Sequence, residues 1–337
     1  MKLVYPQFWD RRKSILALIL LPFTLIYFLC FWLRKYCVKT QRLPAYVICI
    51  GNITVGGSGK TQLVILLAKA LKSLNISFAI MTKAYNSNLK GAVLVTKEHT
   101  SDQVGDESCM LLQYGTVIAA SKIKYAHSII ESLNPRIIIV DDGMQNPSFH
   151  KDFTITTIDE SRWFGNGYLV PSGPMREPAT NALKKSNAIF LITSSLQLEK
   201  HEDIIENNPK YKRYLTNLNI PILQANITPN IKLDLSQEYV VFCGIGNPER
   251  FLVTLKNHGV KILYHEFFPD HHNYTKRDCR NLITIANQHN ARLLTTSKDY
   301  VKLYQNIPDL ISFDVILTCK NYKDFINLIY EAITKED

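Results

Sequence analysis

One stretch limits the fold of this chain more than any other: an apolar run, a glycine-rich turn and an amphipathic helix in direct succession. The run AYVICIGN (45–52) is typical of a buried strand, ITVGGSGKT (53–61) forms the turn, and residues 61–74 repeat apolar side chains at helical spacing. A strand that enters a helix through such a turn is the arrangement of a phosphate-binding loop. A plain glycine turn, the alternative, needs neither flanking element.

The side chains of this loop suit a nucleotide. Gly56, Gly57 and Gly59 leave backbone N–H groups uncovered, and the helix that follows adds the positive end of its dipole. Lys60 is placed to reach the β- and γ-phosphates, and the Thr61 hydroxyl to reach Mg²⁺. The sequence therefore predicts a nucleotide site formed by Thr54, Val55, Gly56, Gly57, Ser58, Gly59, Lys60 and Thr61.

A second apolar run, RIIIVDDG (136–143), ends on two acids, Asp141 and Asp142. A carboxylate at the end of a strand beside a phosphate loop is the usual partner of the nucleotide's Mg²⁺. Solvated acids at a strand end are also common, but the loop favours a metal role. Which of the two acids would bind the ion stays open.

The rest of the chain alternates apolar strands with amphipathic helices, which predicts a mainly parallel α/β sheet of the P-loop type covered by helices on both faces. A second, smaller α/β unit is predicted to begin near residue 236, after a linker at 221–237. The expected units are an amino-terminal anchor (1–36), a P-loop domain (37–235) and a smaller α/β domain (236–337).

The anchor is predicted from residues 14–33, which carry no charge. As one helix they would span roughly 30 Å, the hydrocarbon thickness of a bilayer. Basic residues flank the run, including Arg11, Arg12 and Lys13, and aromatic residues lie near both ends. A membrane helix, kinked at Pro22, is favoured over a signal peptide or a buried helix. Whether it crosses the bilayer or lies in one leaflet stays open.

Composition narrows the choice of partners. The chain has 337 residues and a formal net charge of +10, which suits an anionic partner. It has neither a long basic tract nor zinc-finger spacing, so a nucleic-acid partner is not predicted, and no obligate protein partner is inferred. The seven cysteines form no CxxC pair, which favours reduced thiols in the cytoplasm.

Seven stretches in order resemble one family, the tetraacyldisaccharide 4′-kinases of Gram-negative bacteria. They are GNITVGGSGKT, VGDES, VDDGMQN, FGNGYLVPSGPMREP, GIGNPERF, FPDHH and TTSKDYVKL. Thr54 stands where the general phosphate-loop pattern has glycine, and the family itself carries Ser or Thr there. The resemblance covers nearly the whole chain.

The resemblance implies transfer of the γ-phosphoryl group of ATP, with Mg²⁺, to the 4′-hydroxyl of an acylated disaccharide 1-phosphate lipid, giving lipid IVA. It also implies work at the membrane surface, on the cytoplasmic side of the bacterial inner membrane. A membrane-associated P-loop NTPase that serves transport or insertion is the alternative enzyme. A nucleotide-regulated membrane-binding module is the non-enzyme alternative, and neither explains FGNGYLVPSGPMREP.

The resemblance further implies roles for single residues. Asp106 in VGDES would receive the hydroxyl proton, His271 in FPDHH would orient it, and Arg176 in PSGPMREP would contact phosphate. Without the resemblance, Asp106 reads as an acid at a helix start, His271 as a loop residue and Arg176 as a surface ion pair. Lys298 and Asp299 are weaker candidates.

Two stretches depart from the family. It usually has RGYG where this chain has Lys83-Ala84-Tyr85-Asn86. It usually has DDGFQH at 141–146, where this chain has DDGMQN, so that the last residue of the motif is Asn146. Lys83 keeps a charge but loses the guanidinium fork, and Asn146 replaces a titratable ring. The roles of these two positions therefore stay open.

Overall fold

The computed structural model describes residues 5–11, 13–193, 214–215, 218–230 and 233–334. Arg12, named above as a flanking charge, and the ends of the predicted anchor and C-terminal domain (1–4 and 335–337) lie outside the described residues. The predicted fold class is confirmed: a mainly parallel P-loop-type sheet and a second, smaller α/β sheet.

The strands of the described residues form two sheets. They are β1 (Tyr46–Asn52), β2 (Phe78–Lys83), β3 (Ala92–Leu94), β4 (Thr116–Ala120), β5 (Ile137–Asp141), β6 (Phe153–Asp159), β7 (Ala188–Thr193), β8 (Ile222–Pro229), β9 (Glu238–Cys243), β10 (Lys261–Phe267), β11 (Arg292–Thr296), β12 (Ile311–Phe313) and β13 (Val315–Cys319). The larger sheet has the order β13-β8-β7-β6-β1-β5-β2-β4-β3, and the smaller has β10-β9-β11-β12. Only β3 and β13 pair antiparallel within them.

The helices of the described residues lie mostly between strands in the chain order. They are α1 (Ile15–Ile19), α2 (Leu21–Cys37), α3 (Lys60–Ser73), α4 (Ser101–Val104), α5 (Asp106–Leu111), α6 (His127–Leu133), α7 (Ala179–Lys184), α8 (Pro248–Asn257), α9 (Lys276–Gln288), α10 (Ser297–Leu303) and α11 (Tyr322–Thr334). Short 3₁₀ helices occupy Gln7–Asp10 and Ile123–Ala126.

Strand β1 lies at the centre of the larger sheet, parallel to β5 on one side and β6 on the other. Ile48, Cys49 and Ile50 are fully buried, because apolar clusters cover both faces of the sheet. This explains why the strand reads as a continuous apolar run rather than an alternating one. The carboxyl ends of β1, β5 and β6 lie at one edge, where open α/β sheets bind their ligands.

The predicted domain limits need two corrections. The predicted linker at 221–237 contains strand β8, which is a strand of the larger sheet. Strand β13 and helix α11, predicted in the smaller domain, also belong with the larger sheet: β13 pairs with β8, and Phe325 contacts Phe190 at 5.3 Å between ring centroids. Strand periodicity does not reveal which sheet a strand joins, so the sequence missed this return of the chain.

The amino-terminal apolar run is two helices rather than one. Helix α1 ends at Ile19 after capping by Ser14, and α2 begins at Leu21 with Pro22 in its first turn. Many apolar side chains remain exposed along the pair: Ile15, Leu16, Leu18, Ile19, Phe23, Leu25, Ile26, Leu29 and Leu33. Among the described residues, no helix combines the length and the hydrophobicity needed to span a bilayer.

Candidate active site

The phosphate loop has a backbone conformation that requires glycine where it enters α3. Gly56 and Gly59 have φ angles of +108° and +79°, a region that other residues avoid, and Gly59 is the N-cap of the helix. A Cβ at Gly59 would also lie 2.6 Å from Cδ1 of Ile192. The Asn52 side chain donates to the carbonyl of Thr54 at 2.7 Å, which fixes the first turn of the loop. The loop therefore runs directly into the amino end of α3, where backbone N–H groups favour an anion, while the Val55 amide is already bonded to the carbonyl of Pro174.

Asp142 lies within reach of two cations. Its carboxylate is 3.8 Å from Nζ of Lys60 and accepts hydrogen bonds of 2.9 and 3.0 Å from Nη1 of Arg176. Burial alone would raise the pKa of Asp142, but the charges of Lys60 and Arg176 hold it at about 2. Arg176, predicted to contact phosphate, thus joins the phosphate loop through an acid that stays ionised.

Asp141 has the opposite surroundings. It is 3% exposed, and among the described residues neither of its carboxylate oxygens has a hydrogen-bond partner. Burial and the negative charge of Glu107 raise its pKa, while the charge of Lys60 acts the other way. A buried acid without donors is stabilised by a cation, and Mg²⁺ prefers carboxylate and hydroxyl oxygens. Asp141 and Thr61 therefore fit an Mg²⁺ ion, whereas Asp142 is engaged by Arg176.

A chain of polar contacts supports Arg176 from behind. Gln145 accepts from Nη1 of Arg176 at 3.4 Å and donates to the carboxylate of Glu177 at 3.3 Å. Glu177 is fully buried and paired with Lys185 at 2.6 Å. Gln145 lies within the motif VDDGMQN, but the sequence alone predicted no role for it. Only the fold brings Lys185 to Glu177.

The predicted contact between Asp106 and His271 is present and joins the larger unit to the smaller one. Nδ1 of His271 lies 3.1 Å from Oδ2 of Asp106, which is the first residue of α5. Gly105 before it has a φ of +88°, and a Cβ there would lie 3.2 Å from the carbonyl oxygen of Tyr85. The glycine of VGDES is therefore needed for α5 to begin where it does. The catalytic role of the pair stays a prediction.

Two lysines of α10 determine which ring nitrogen of His271 carries the hydrogen and help to keep Asp106 ionised. Nζ of Lys298 lies 2.9 Å from Nε2 of His271; since an ammonium has donors only, Nε2 accepts and Nδ1 carries the hydrogen toward Asp106. Lys302 lies 2.7 Å from Oδ2 of the same carboxylate. Burial opposes ionisation of Asp106, but the bonds to His271 and Lys302 lower its pKa overall. With both ring nitrogens engaged, Asp106 is the member suited to accept a substrate proton.

The structure also shows the contacts of residues at which this chain departs from the family pattern. Asn86 has a φ of +59°, which asparagine tolerates better than most residues in place of glycine, and its amide donates to Asn273 at 3.1 Å. The ring of Tyr85 lies 5.0 Å from that of His271. Asn146 accepts from the amide of Ser148 at 3.1 Å and so closes a local turn.

The smaller unit also touches the phosphate loop. A Cβ on Gly246, in the GIGNPERF turn, would lie 3.0 Å from the amide nitrogen of Gly57. Arg162 donates to the Asn247 side chain at 3.0 Å, and Arg250 pairs with Asp159 at 2.8 Å. These inter-unit pairs were not predicted, because residues far apart in the chain form them. The site is thus built from both units.

Comparison with known proteins shows the family of this chain. The family model described as tetraacyldisaccharide-1-P 4′-kinase (LpxK) matches residues 16–334. The chain belongs to this family. It is 47% identical over 326 residues to a tetraacyldisaccharide 4′-kinase of Rickettsia peacockii, with 97% of each chain covered. It is 46% identical over 336 residues to that of Rickettsia canadensis, with 99% of this chain and 98% of the other covered.

The fold has a solved counterpart. The structure of the "apo" form of LpxK from Aquifex aeolicus in complex with ATP superposes with a TM-score of 0.73 and 25% sequence identity. The match covers 95% of this chain and 100% of that one. The kinase prediction and the prediction of ATP as a substrate are confirmed by these relatives.

Proposed function

We propose that this chain transfers the γ-phosphoryl group of ATP to the 4′-hydroxyl of tetraacyldisaccharide 1-phosphate, giving lipid IVA in lipid A biosynthesis. The bond between the 4′-oxygen and phosphorus forms as the bridge between the β- and γ-phosphates breaks, ADP leaves, and the hydroxyl proton passes to the enzyme. The observation that carries the proposal is a phosphate loop and an acid–histidine pair assembled in a chain of this family.

The phosphate loop would bind the β- and γ-phosphates through its N–H groups and Lys60. Asp141 and Thr61 would hold Mg²⁺ together with phosphate oxygens, and the ion supplies neutralisation of the charge on those oxygens. Arg176 contacts Asp142, which lies 3.8 Å from Lys60. We infer that this row of charges keeps Lys60 aligned with the phosphates.

Asp106 would accept the proton of the 4′-hydroxyl. The lowered pKa of Asp106 keeps it ionised at neutral pH. A weak base suffices, because phosphoryl transfer passes through a loose transition state in which little proton removal is needed early. His271 donates to Oδ2 and is itself held by Lys298, so it orients the carboxylate. The acceptor hydroxyl would approach the other oxygen, Oδ1.

We propose that α1 and α2 lie against the cytoplasmic side of the bacterial inner membrane. The exposed apolar side chains of these helices support this, together with exposed Arg34, Lys35 and Lys39 at the end of α2, which suit an anionic leaflet. An acceptor with four acyl chains stays in the bilayer, and ATP reaches the site from the cytoplasm.

The test is whether ATP turnover depends on the acceptor. ADP release by the purified protein would be measured with Mg²⁺ and detergent-dispersed lipid precursor, without lipid, and with a 4′-deoxy precursor. We expect ADP release only with the 4′-hydroxyl present. Equal ADP release in all three mixtures would instead support a P-loop NTPase.

A further inference from the structure

Helix α2 carries polar side chains on the face that meets the body of the protein. The Thr24 hydroxyl lies 2.8 Å from the Ser172 hydroxyl, and the Tyr27 hydroxyl donates to the carbonyl oxygen of Arg176 at 2.8 Å. Residues three apart share one face of a helix, so both point to the same loop. A purely apolar anchor needs neither hydroxyl.

The loop reached by these hydroxyls continues into the phosphate loop. The amide of Arg176 donates to the carbonyl of Ile53 at 2.8 Å, and the amide of Val55 donates to the carbonyl of Pro174 at 2.8 Å. Thr54 and Met175 form an antiparallel bridge between these two bonds. The segment 174–176 is thus a short strand-like partner of the first residues of the phosphate loop.

A second tie comes from the residues before α1. The indole N–H of Trp9 donates to the carbonyl of Pro171 at 2.9 Å, and the amide of Asn166 donates to the carbonyl of Trp9 at 2.6 Å. Trp9 is 3% exposed, so it is fixed in the body of the protein. The whole amino-terminal segment is therefore attached to loop 166–176 at several points.

From these contacts we infer that Tyr27 is a positioning residue for the reaction: its hydroxyl fixes the backbone of Arg176 and, through it, the start of the phosphate loop. Helix α2 is then a structural part of the active site as well as a candidate anchor. This inference rests on the proposed function, since the guanidinium of Arg176 acts there through Asp142.

The perturbation is Tyr27→Phe, which removes the hydroxyl and keeps the ring. The matched control is Tyr36→Phe on the same helix, where Tyr36 is 78% exposed. The first measurement is hydrogen exchange of the Val55 and Arg176 amides in the full chain. We expect faster exchange at both amides in Tyr27→Phe and unchanged exchange in Tyr36→Phe.

The second measurement is kcat with saturating ATP and detergent-dispersed precursor, where membrane binding plays no part. We expect Tyr27→Phe to lower kcat by about fivefold, the effect of one ordinary hydrogen bond.

Unchanged exchange in Tyr27→Phe would overturn the inference whether or not the protein phosphorylates the lipid. Faster exchange with unchanged kcat would equally overturn it, since the contact would then be structural only. If the wild-type protein shows no acceptor-dependent turnover, the proposed function fails, while the exchange measurement still decides whether Tyr27 holds the loop.

Discussion

The Asp106–His271 pair offers the sharpest test of the mechanism, because one member begins α5, the other follows β10 of the smaller sheet, and they meet at 3.1 Å. We expect His271→Gln to lower kcat by about 10²-fold, the lower part of the range for general acid–base catalysis. This corresponds to about 2.7 kcal/mol of transition-state stabilisation. The control is His272→Gln in the next residue, whose ring pairs with Asp278 instead.

Asp106→Asn should give a similar loss of kcat, but its effect on folding must be separated. Asp106 is 7% exposed, and Lys302, 2.7 Å away, has a side chain that is also 7% exposed. Removing one charge of a buried pair costs about 3–5 kcal/mol, a large part of the stability of a typical domain. The double variant Asp106→Asn/Lys302→Met removes both charges, so we expect its Tm to recover while kcat stays low.

The decisive comparison is the double variant Asp106→Asn/His271→Gln, measured as kcat with saturating substrates and with ATP binding followed separately. If His271 works through Asp106, the double loss should stay near 10²-fold. Independent roles would instead multiply to about 10⁴-fold. Multiplied losses with intact ATP binding would refute the reasoning and return His271 to the role of a loop residue.

Three further predictions follow from the same contacts. Lys60→Ala should abolish most turnover in a folded protein, whereas Lys72→Ala, exposed near the end of α3, should match wild type in the same assay. Lys302→Met removes a charge that lowers the pKa of Asp106, so this pKa should rise. Because activity needs the ionised acid, the acidic limb of the pH profile of kcat/KM should move to higher pH than in wild type. Deleting residues 1–35 should reduce recovery with vesicles and also lower kcat in detergent, because Tyr27 is lost; unchanged detergent kcat would contradict the second part.

The sequence predicted the parts of the site that are local in the chain. The strand, glycine turn and helix at 45–74 were predicted correctly because each has its own periodicity or conformational requirement. The contact of Asp106 with His271 was predicted through family motifs rather than spacing. No local sequence pattern relates a residue at the start of α5 to one in a loop 165 residues further along the chain.

The missed features all depend on tertiary contacts. Lys302 lies within TTSKDYVKL, yet only the packing of α10 against α5 shows that it pairs with Asp106. Which of Asp141 and Asp142 suits a metal ion was left open for the same reason, since only the folded structure shows that Arg176 pairs with Asp142. Strand β13 was assigned to the wrong sheet, because an apolar run looks the same in either.

Phosphoryl transfer to one particular hydroxyl of a lipid leaves the new phosphate at a defined carbon, and the position of that phosphate can be measured. The purified protein would be incubated with Mg²⁺, γ-labelled ATP and tetraacyldisaccharide 1-phosphate, and the lipid product examined by mass spectrometry and phosphorus NMR. We expect one added phosphoryl group, labelled and attached at C4′, and none with Lys60→Ala. Label found only as free phosphate, or on a different position of the lipid, would contradict this expectation.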